Sequence, residues 1–306
     1  MKAIEHVAIL GAGALGSYFA TKFFDAPGLT TVLIARGERH ERLSRHGLVV
    51  NERPYMIPVI DPDGVTAPLD LILVALKYHH LPAAVPDLKN LLGPDTTIIS
   101  VMNGLDSEEI IGAVYGMEKL LYAVSVGIDA LREGNQVTYG NPGVLYFGEA
   151  ENADPSPQVR RVQAALDQAV IPYEIPVDMM RILWWKFMVN VGMNQASAVM
   201  RAPYGLFQTS AEARAVMDML MHEVIALAQA VGVNLGQQDV ADWVPIMNKL
   251  LPTGKTSMLQ DIEAGRKTEV EMLAGKVVEL GQAHGVPTPV NEAMLSIIHI
   301  LEAGAA

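Results

Sequence analysis

The sequence predicts an α/β protein in two parts, a parallel-sheet domain over residues 1–177 followed by an all-helical domain over residues 178–306. Three observations carry this. Short β-branched runs alternate with helical periodicity through the first half, the pattern of strands joined by crossover helices. Strand signals stop near Asp178, and only long helical patterns follow. Half of the 306 residues are apolar, enough for two cores.

In order, His6 to Leu10 reads as a strand that feeds a helix from Ala14. Thr31 to Ala35 is the second strand. Leu69 to Leu76 precedes a helix running through Leu92, and Thr96 to Val101 precedes one running through Ala113. Leu121 to Val126 continues the sheet. Gln136 to Tyr139 and Val144 to Phe147, joined through Asn141-Pro142-Gly143, are expected to extend it as an antiparallel pair. Tyr173 to Val177, rich in proline and β-branched residues, marks the boundary. Helices are then expected over Asp178 to Met200, Ala211 to Val231, Gln238 to Leu250, Ser257 to His284 and Val290 to Leu301.

Composition excludes several classes of function. The net charge is -12 and no basic run occurs, so the electrostatic footprint of nucleic-acid binding is missing. With no cysteine, disulfides, thiolate metal sites and cysteine nucleophiles are excluded. His79 and His80 are adjacent and would point apart on a helix, no His-x-x-x-His pair occurs, and no structural metal is expected. The chain passes from Met1 into an apolar strand without a leader, and no apolar run matches a membrane span. A cytoplasmic protein without membrane contact is the expectation.

The first strand ends in Gly11-Ala12-Gly13-Ala14-Leu15-Gly16, which opens a helix. A G-x-G-x-x-G run is a weak signal alone and a strong one between a strand and a helix. Gly11 permits the turn, Gly13 lets a pyrophosphate approach the backbone, and Gly16 allows close helix packing, while the helix N-terminus offers N–H groups to the anion. This is the fingerprint of a Rossmann-type dinucleotide-binding domain. About twenty residues further on, where an NAD enzyme places an acidic residue for the ribose 2′-hydroxyl, stands Arg36. A guanidinium there suits the 2′-phosphate of NADP(H); the alternative is a surface arginine pairing with Glu38 or Glu41. Lys77 follows the Leu71 to Leu76 segment at the carboxyl edge of the sheet, where ligands bind, unless it is simply a solvated strand end. Asn103-Gly104 ends the next strand, near the expected nicotinamide, though the pair also suits a plain turn.

In the helical half, Lys186 interrupts the apolar run Ile182 to Val189, and Asn190, Asn194 and Ser197 follow it at four, eight and eleven residues, one narrow stripe on a helix. Burying an ammonium and two amides without partners is costly, so the stripe signals a ligand, a polar cleft or a partner element; a solvated face is the alternative. On the helix expected from Ser257, periodicity puts Glu269 on the inward face with Met258, Ile262, Gly265 and Met272. Its partner is either Arg266 or Lys186 across a cleft. The latter pair would be suited to giving a proton to a carbonyl oxygen as hydride arrives at carbon.

Together, Gly11 to Gly16, Arg36-Gly37, Leu76-Lys77, Asn103-Gly104, Leu183-Trp184-Trp185-Lys186 with Asn190 and Asn194, and Ser257-Met258-Leu259-Gln260-Asp261 running to Thr268-Glu269 resemble the ketopantoate reductase (2-dehydropantoate 2-reductase) family over nearly the whole chain. The resemblance implies NADPH-dependent reduction of 2-dehydropantoate to pantoate, a step towards pantothenate and coenzyme A. It implies Lys186 as proton donor with Glu269 as its catalytic partner. Gly11, Ala12, Gly13, Ala14, Leu15, Gly16, Arg36 and Lys77 would bind cofactor, Asn103 would lie at the nicotinamide end beside the substrate, and Asn190, Asn194 and Ser257 would hold the 2-oxo acid. A homodimer is compatible with it. One departure stands out: Arg201-Ala202-Pro203-Tyr204-Gly205 carries Tyr204 where many members have a substrate-binding asparagine.

Overall fold

The computed structural model describes residues 2–64 and 67–304; Met1, Val65, Thr66, Ala305 and Ala306 lie outside the described residues. Contacts divide the chain into two compact units, Met1–Met179 and Met180–Ala306.

The first unit holds an eight-stranded sheet built from β1 (His6–Leu10), β2 (Thr30–Ile34), β5 (Val59–Ile60), β6 (Leu71–Val74), β7 (Thr97–Ser100), β8 (Leu120–Val126), β11 (Val144–Gly148) and β12 (Tyr173–Glu174). A second sheet of four short strands contains β3 (Leu48–Val50), β4 (Arg53–Tyr55), β9 (Leu131–Glu133) and β10 (Gln136–Thr138). The large sheet runs β12-β11-β8-β7-β6-β1-β2-β5. From β5 to β8 every neighbour is parallel, whereas β11 is antiparallel to β8. After β1 the chain pairs β2 on one side and later returns to place β6 on the other, so the order reverses between β1 and β6. Ligands bind outside the carboxyl ends of strands at such a point.

Strand alternation divides the core between the two faces of this sheet. Val7, Ile9, Leu71, Leu73 and Ile99 pack with Tyr18, Phe19 and Phe23 of α1 (Ala14–Asp25) on one side. Ala8, Leu10, Ile72, Val74 and Ile98 pack on the other with Leu81, Val85, Leu88 and Ile111. The helix expected through Leu92 is instead a short α3 (Leu81–Ala84) between 3-10 turns at Tyr78–His80 and Val85–Leu91. Pro82 and Pro86 each remove a backbone donor, which prevents a continuous α-helical ladder. The remaining helices of this unit are α2 (Gly37–His46), α4 (Ser107–Tyr115) and α5 (Pro157–Gln168).

The expected antiparallel pairing of Gln136 to Tyr139 with Val144 to Phe147 does not form. β10 turns back on β9 through Gly134-Asn135, with Gln136 opposite Glu133, and it belongs to the small sheet. Gly134 at φ +59° supplies the left-handed conformation that so short a hairpin needs. β11 instead pairs with β8. In the small sheet, Asn51 and Glu52, both at positive φ, join β3 to β4, and the Asn51 amide exchanges two hydrogen bonds with the backbone of Tyr139.

The second unit is helical: α6 (Met179–Met200), α7 (Tyr204–Thr209), α8 (Ala211–Ala230), α9 (Gln237–Met247), α10 (Ser257–Glu263), α11 (Lys276–His284) and α12 (Pro289–Ala303). α6 is buried on most sides, by Leu183, Trp184, Phe187, Met188, Val191, Met193, Ala196 and Ala198, which makes it the central helix of its unit. At Gly192 a Cβ would come within 2.5 Å of Met221 on α8, so this glycine permits the closest approach of the two helices. Gln195 of α6 donates to Asn291 of α12 at 3.0 Å, and Asn291 donates to Glu223 of α8 at 2.7 Å. Glu223 also accepts the Val290 and Asn291 N–H groups at the start of α12, satisfying donors that a helix N-terminus leaves open. No helix among the described residues is long and apolar enough to cross a membrane.

The single helix expected over Ser257 to His284 is broken. α10 stops at Glu263, Gly265 takes φ +62°, and helical structure resumes at Val270 with a π-helical turn over Glu271–Gly275 that leads into α11. Arg266 bends back to Asp261 at 2.8 Å, and Thr268 ties the intervening segment to Glu302 of α12 through its N–H and hydroxyl, at 2.7 and 2.6 Å. Glu269 therefore sits at the entrance of the second helix, not on an inward face of one long helix.

Candidate active site

In the first unit the glycine run after β1 is shaped by contacts with the end of β6. A Cβ at Gly11, which has φ +107°, would lie 2.5 Å from the Ala75 carbonyl oxygen, and one at Gly16 would lie 1.8 Å from the Gly11 carbonyl oxygen. Both positions require glycine. Gly13 differs: a Cβ there would meet nothing within 4 Å, so the space above it is open to a ligand. Gly13 is the N-cap of α1 and no side chain caps the helix, which leaves its first-turn N–H groups to an anion. Open space over Gly13 and uncapped donors beneath it fit a dinucleotide pyrophosphate.

Arg132, on β9, donates to the Ala12 carbonyl oxygen in this loop at 2.5 Å. Burial, then the charges of Arg42 and Arg39 on α2, hold its guanidinium below the ordinary value. A cluster of cations thus stands beside the cradle. Sequence reasoning missed Arg132 because β9 was not expected as a strand, and 120 residues separate the pair.

Arg36 leaves the end of β2 as expected, but its partners are neither Glu38 nor Glu41. Its Nε donates to Asp87 Oδ1 at 2.6 Å, its two terminal nitrogens clasp the carboxylate of Asp63, and Asp61 lies 3.7 Å away. The hydrogen bonds it donates to Asp63 and Asp87 hold the guanidinium above its ordinary value. Lys77, half-buried, follows β6 and precedes the Tyr78–His80 turn. Asn103, also half-buried, follows β7 and precedes Gly104 at φ +94°. The ends of β1, β2, β6 and β7 thus carry the four sequence-predicted cofactor positions of this unit. Glu108, buried at the start of α4, accepts from the Ser107 hydroxyl at 2.8 Å; burial pushes its carboxyl up to about 7. Nothing in its local pattern marked it as buried.

In the second unit Lys186 is half-buried on α6, and desolvation alone pushes its ammonium down to about 8. Asn190 is buried and Asn194 half-buried, each one turn beyond the last. The fourth member of the stripe, Ser197, is occupied structurally: it donates to the Ala202 carbonyl at 2.7 Å and accepts from Thr256 at 3.2 Å. Thr256 is the N-cap of α10, so that bond brings the start of α10 against the far end of the stripe, and Ser257, exposed, is the next residue. Arg266, one of the two partners expected for Glu269, is paired with Asp261. Tyr204 opens α7, its N–H donating to Gly254 at 3.0 Å and its ring packing on Gly254; burial raises its phenol.

A dinucleotide cradle at a sheet switch point, followed in the chain by a helical unit with a desolvated lysine, fits a dinucleotide-dependent oxidoreductase. Residues 7–152 match the family described as ketopantoate reductase PanE/ApbA, and residues 178–302 match its C-terminal counterpart. The chain belongs to the ketopantoate reductase PanE/ApbA family. It is 26% identical over 304 residues to a 2-dehydropantoate 2-reductase of Streptococcus pyogenes, covering 97% of this chain and 98% of that one. To that of Archaeoglobus fulgidus it is 28% identical over 307 residues, covering 98% and 99%. Among solved structures, a ketopantoate reductase of this family from Ralstonia eutropha superimposes with a TM-score of 0.85 at 26% identity, covering 98% and 99%. D-mandelate dehydrogenase with NADH and anilino(oxo)acetate shares the fold with a TM-score of 0.89 at 22% identity, over 98% and 99%. A dimeric ketopantoate reductase from Staphylococcus aureus does so at 0.81 and 24%, over 98% and 100%.

Proposed function

We propose that the protein reduces 2-dehydropantoate to pantoate with NADPH, the activity named for its curated relatives, as a step towards pantothenate and coenzyme A. The observation that carries this reading is Lys186, an ammonium made more acidic by burial yet still protonated at neutral pH. The nicotinamide, when bound, supplies hydride to C2 of the oxo acid. Lys186 gives its proton to the C2 oxygen as the carbonyl π pair moves there, so the carbonyl becomes an alcohol and the lysine becomes neutral. Asn190, Asn194 and Ser257 supply donors for the substrate carboxylate and terminal hydroxyl. Glu269 is assigned to position the substrate or Lys186, and Asn103 to the nicotinamide end. Gly11 to Gly16, Lys77 and Arg36 hold the dinucleotide, with Arg36 at the adenosine 2′ position. The active unit is proposed to be a homodimer.

One observation supports a second reading on the same scaffold. Tyr204 stands where the resemblance expects a substrate-binding asparagine, and its bulk and longer reach suit a different 2-oxo acid. Following NADPH oxidation with ketopantoate, 2-oxoisovalerate and phenylglyoxylate separates the two. A site that hydrogen-bonds the terminal hydroxyl rejects 2-oxoisovalerate by a large factor, because its own polar groups are left unpaired. Equal kcat/KM for ketopantoate and 2-oxoisovalerate would rule out the first reading and leave the reductase assignment standing.

A further inference from the structure

Arg36 carries one positive charge into a setting of three carboxylates from separate places in the chain. Asp61 follows β5, Asp63 lies in the 3-10 turn Pro62–Gly64, and Asp87 lies in the Val85–Leu91 segment. The turn is held firmly: Asp63 N–H donates to the Asp61 side chain at 3.0 Å, and Asn90 donates to the Pro62 carbonyl at 3.2 Å. The side chains are not equally accessible. Asp87 is 17% exposed and orients the fork through Nε, whereas Asp63 is 70% exposed and takes both terminal nitrogens of an Arg36 that is itself 41% exposed.

The donors that a 2′-phosphate would use are therefore those already holding Asp63. With Nε on Asp87 and both terminal nitrogens on Asp63, the bidentate edge that would grip a phosphate is occupied, and only single outer N–H groups are left for a new anion. Arg36 and three aspartates sum to -2, and a phosphate of nearly -2 entering beside them meets net repulsion. The 2′-hydroxyl of NADH makes no such demand and can donate to a carboxylate, the partner it finds in NAD enzymes. Since an exposed ion pair is weak, Asp63 yields to the phosphate at a modest cost and does not exclude it.

We propose that Asp61, Asp63 and Asp87 determine dinucleotide selectivity, with Asp87 orienting Arg36 and Asp63 competing with the 2′-phosphate for it. The protein accordingly accepts NADH as well as NADPH. This rests on the reading that Arg36 lines the 2′ end of the dinucleotide.

The test is direct titration of NADH and NADPH fluorescence on the purified full chain without oxo acid, so that substrate identity plays no part. The variants are Asp63→Asn, Asp61→Asn with Asp63→Asn, Arg36→Ala, and Asp154→Asn as a control whose partner is Arg160, away from this cluster. The unmodified protein is expected to bind the two dinucleotides within ~tenfold of each other. Asp63→Asn should tighten NADPH by at least ~fivefold and NADH by less than ~twofold, the double variant should add to this, and Asp154→Asn should leave the ratio unchanged. The proposal is overturned if Arg36→Ala weakens NADPH while neither aspartate variant moves the ratio. Should Arg36→Ala change neither affinity, the placement of Arg36 at the 2′ end is itself wrong and the selectivity proposal goes with it.

Discussion

The glycine cradle and the Lys186 row are made of different material. The cradle is backbone: Gly11 and Gly16 let main chains approach, Gly13 leaves room, and the groups on offer are the uncapped N–H donors of α1. The row is side chains on a buried helix, and what sets it apart is the desolvation that surrounding packing imposes on Lys186. A backbone site is written in local spacing and survives changes elsewhere. A side-chain site depends on every helix that shields it.

Substitutions can break this comparison from either side. Lys186→Ala should lower kcat by about 10² to 10⁴ while NADPH binding stays near normal, the span expected for a general acid. The unmodified enzyme should lose kcat/KM as pH rises through about 8 if the Lys186 ammonium is the proposed donor, since deprotonation removes the acid. A normal kcat for Lys186→Ala would show the lysine to be structural. Gly13→Val does the opposite: φ there is -78° and the added Cβ meets no protein atom within 4 Å, so the melting temperature should hold. Dinucleotide affinity should fall by roughly 10², since the side chain fills the pyrophosphate's place. Unchanged affinity would remove the phosphate from that loop.

Two smaller effects concern stability. Glu223→Ala leaves the Val290 and Asn291 donors at the start of α12 without their carboxylate and should cost about 2 kcal/mol in urea unfolding. Glu108 tests whether the sheet unit also holds a desolvated side chain that matters. Its folded value, about 7, lies above the ordinary 4.5, so between these values the folded chain holds more protons than the unfolded one. Stability from this group is fully present below about pH 4.5 and is lost as pH rises through about 7. Glu108→Gln should flatten that slope, and an unchanged slope would mean that Glu108 is ionised throughout.

The legible parts of the molecule are those whose cause is local. The glycine run, the ends of β1, β2, β6 and β7, and the α6 stripe are each encoded within a few turns of chain, and each is found where the spacing places it. What escaped is set by partners far along the sequence. β10 leaves the main sheet because Gly134-Asn135 closes a hairpin that the neighbouring Asn-Pro-Gly signal obscured. The helix from Ser257 breaks because Asp261 recovers Arg266 and Thr268 reaches Glu302, neither visible in a hydrophobic period. Arg36 illustrates the limit well: its position was readable, whereas the three carboxylates around it come from residues 61, 63 and 87 and needed the fold to assemble.

The eight-stranded sheet ends on each side in a strand of two residues, Val59–Ile60 and Tyr173–Glu174. A stub of that length offers another chain almost no ladder of unpaired amides to extend, so the sheet resists runaway edge-to-edge polymerisation. Any association between copies is thereby left to side-chain surfaces, where contacts can close on themselves and stop.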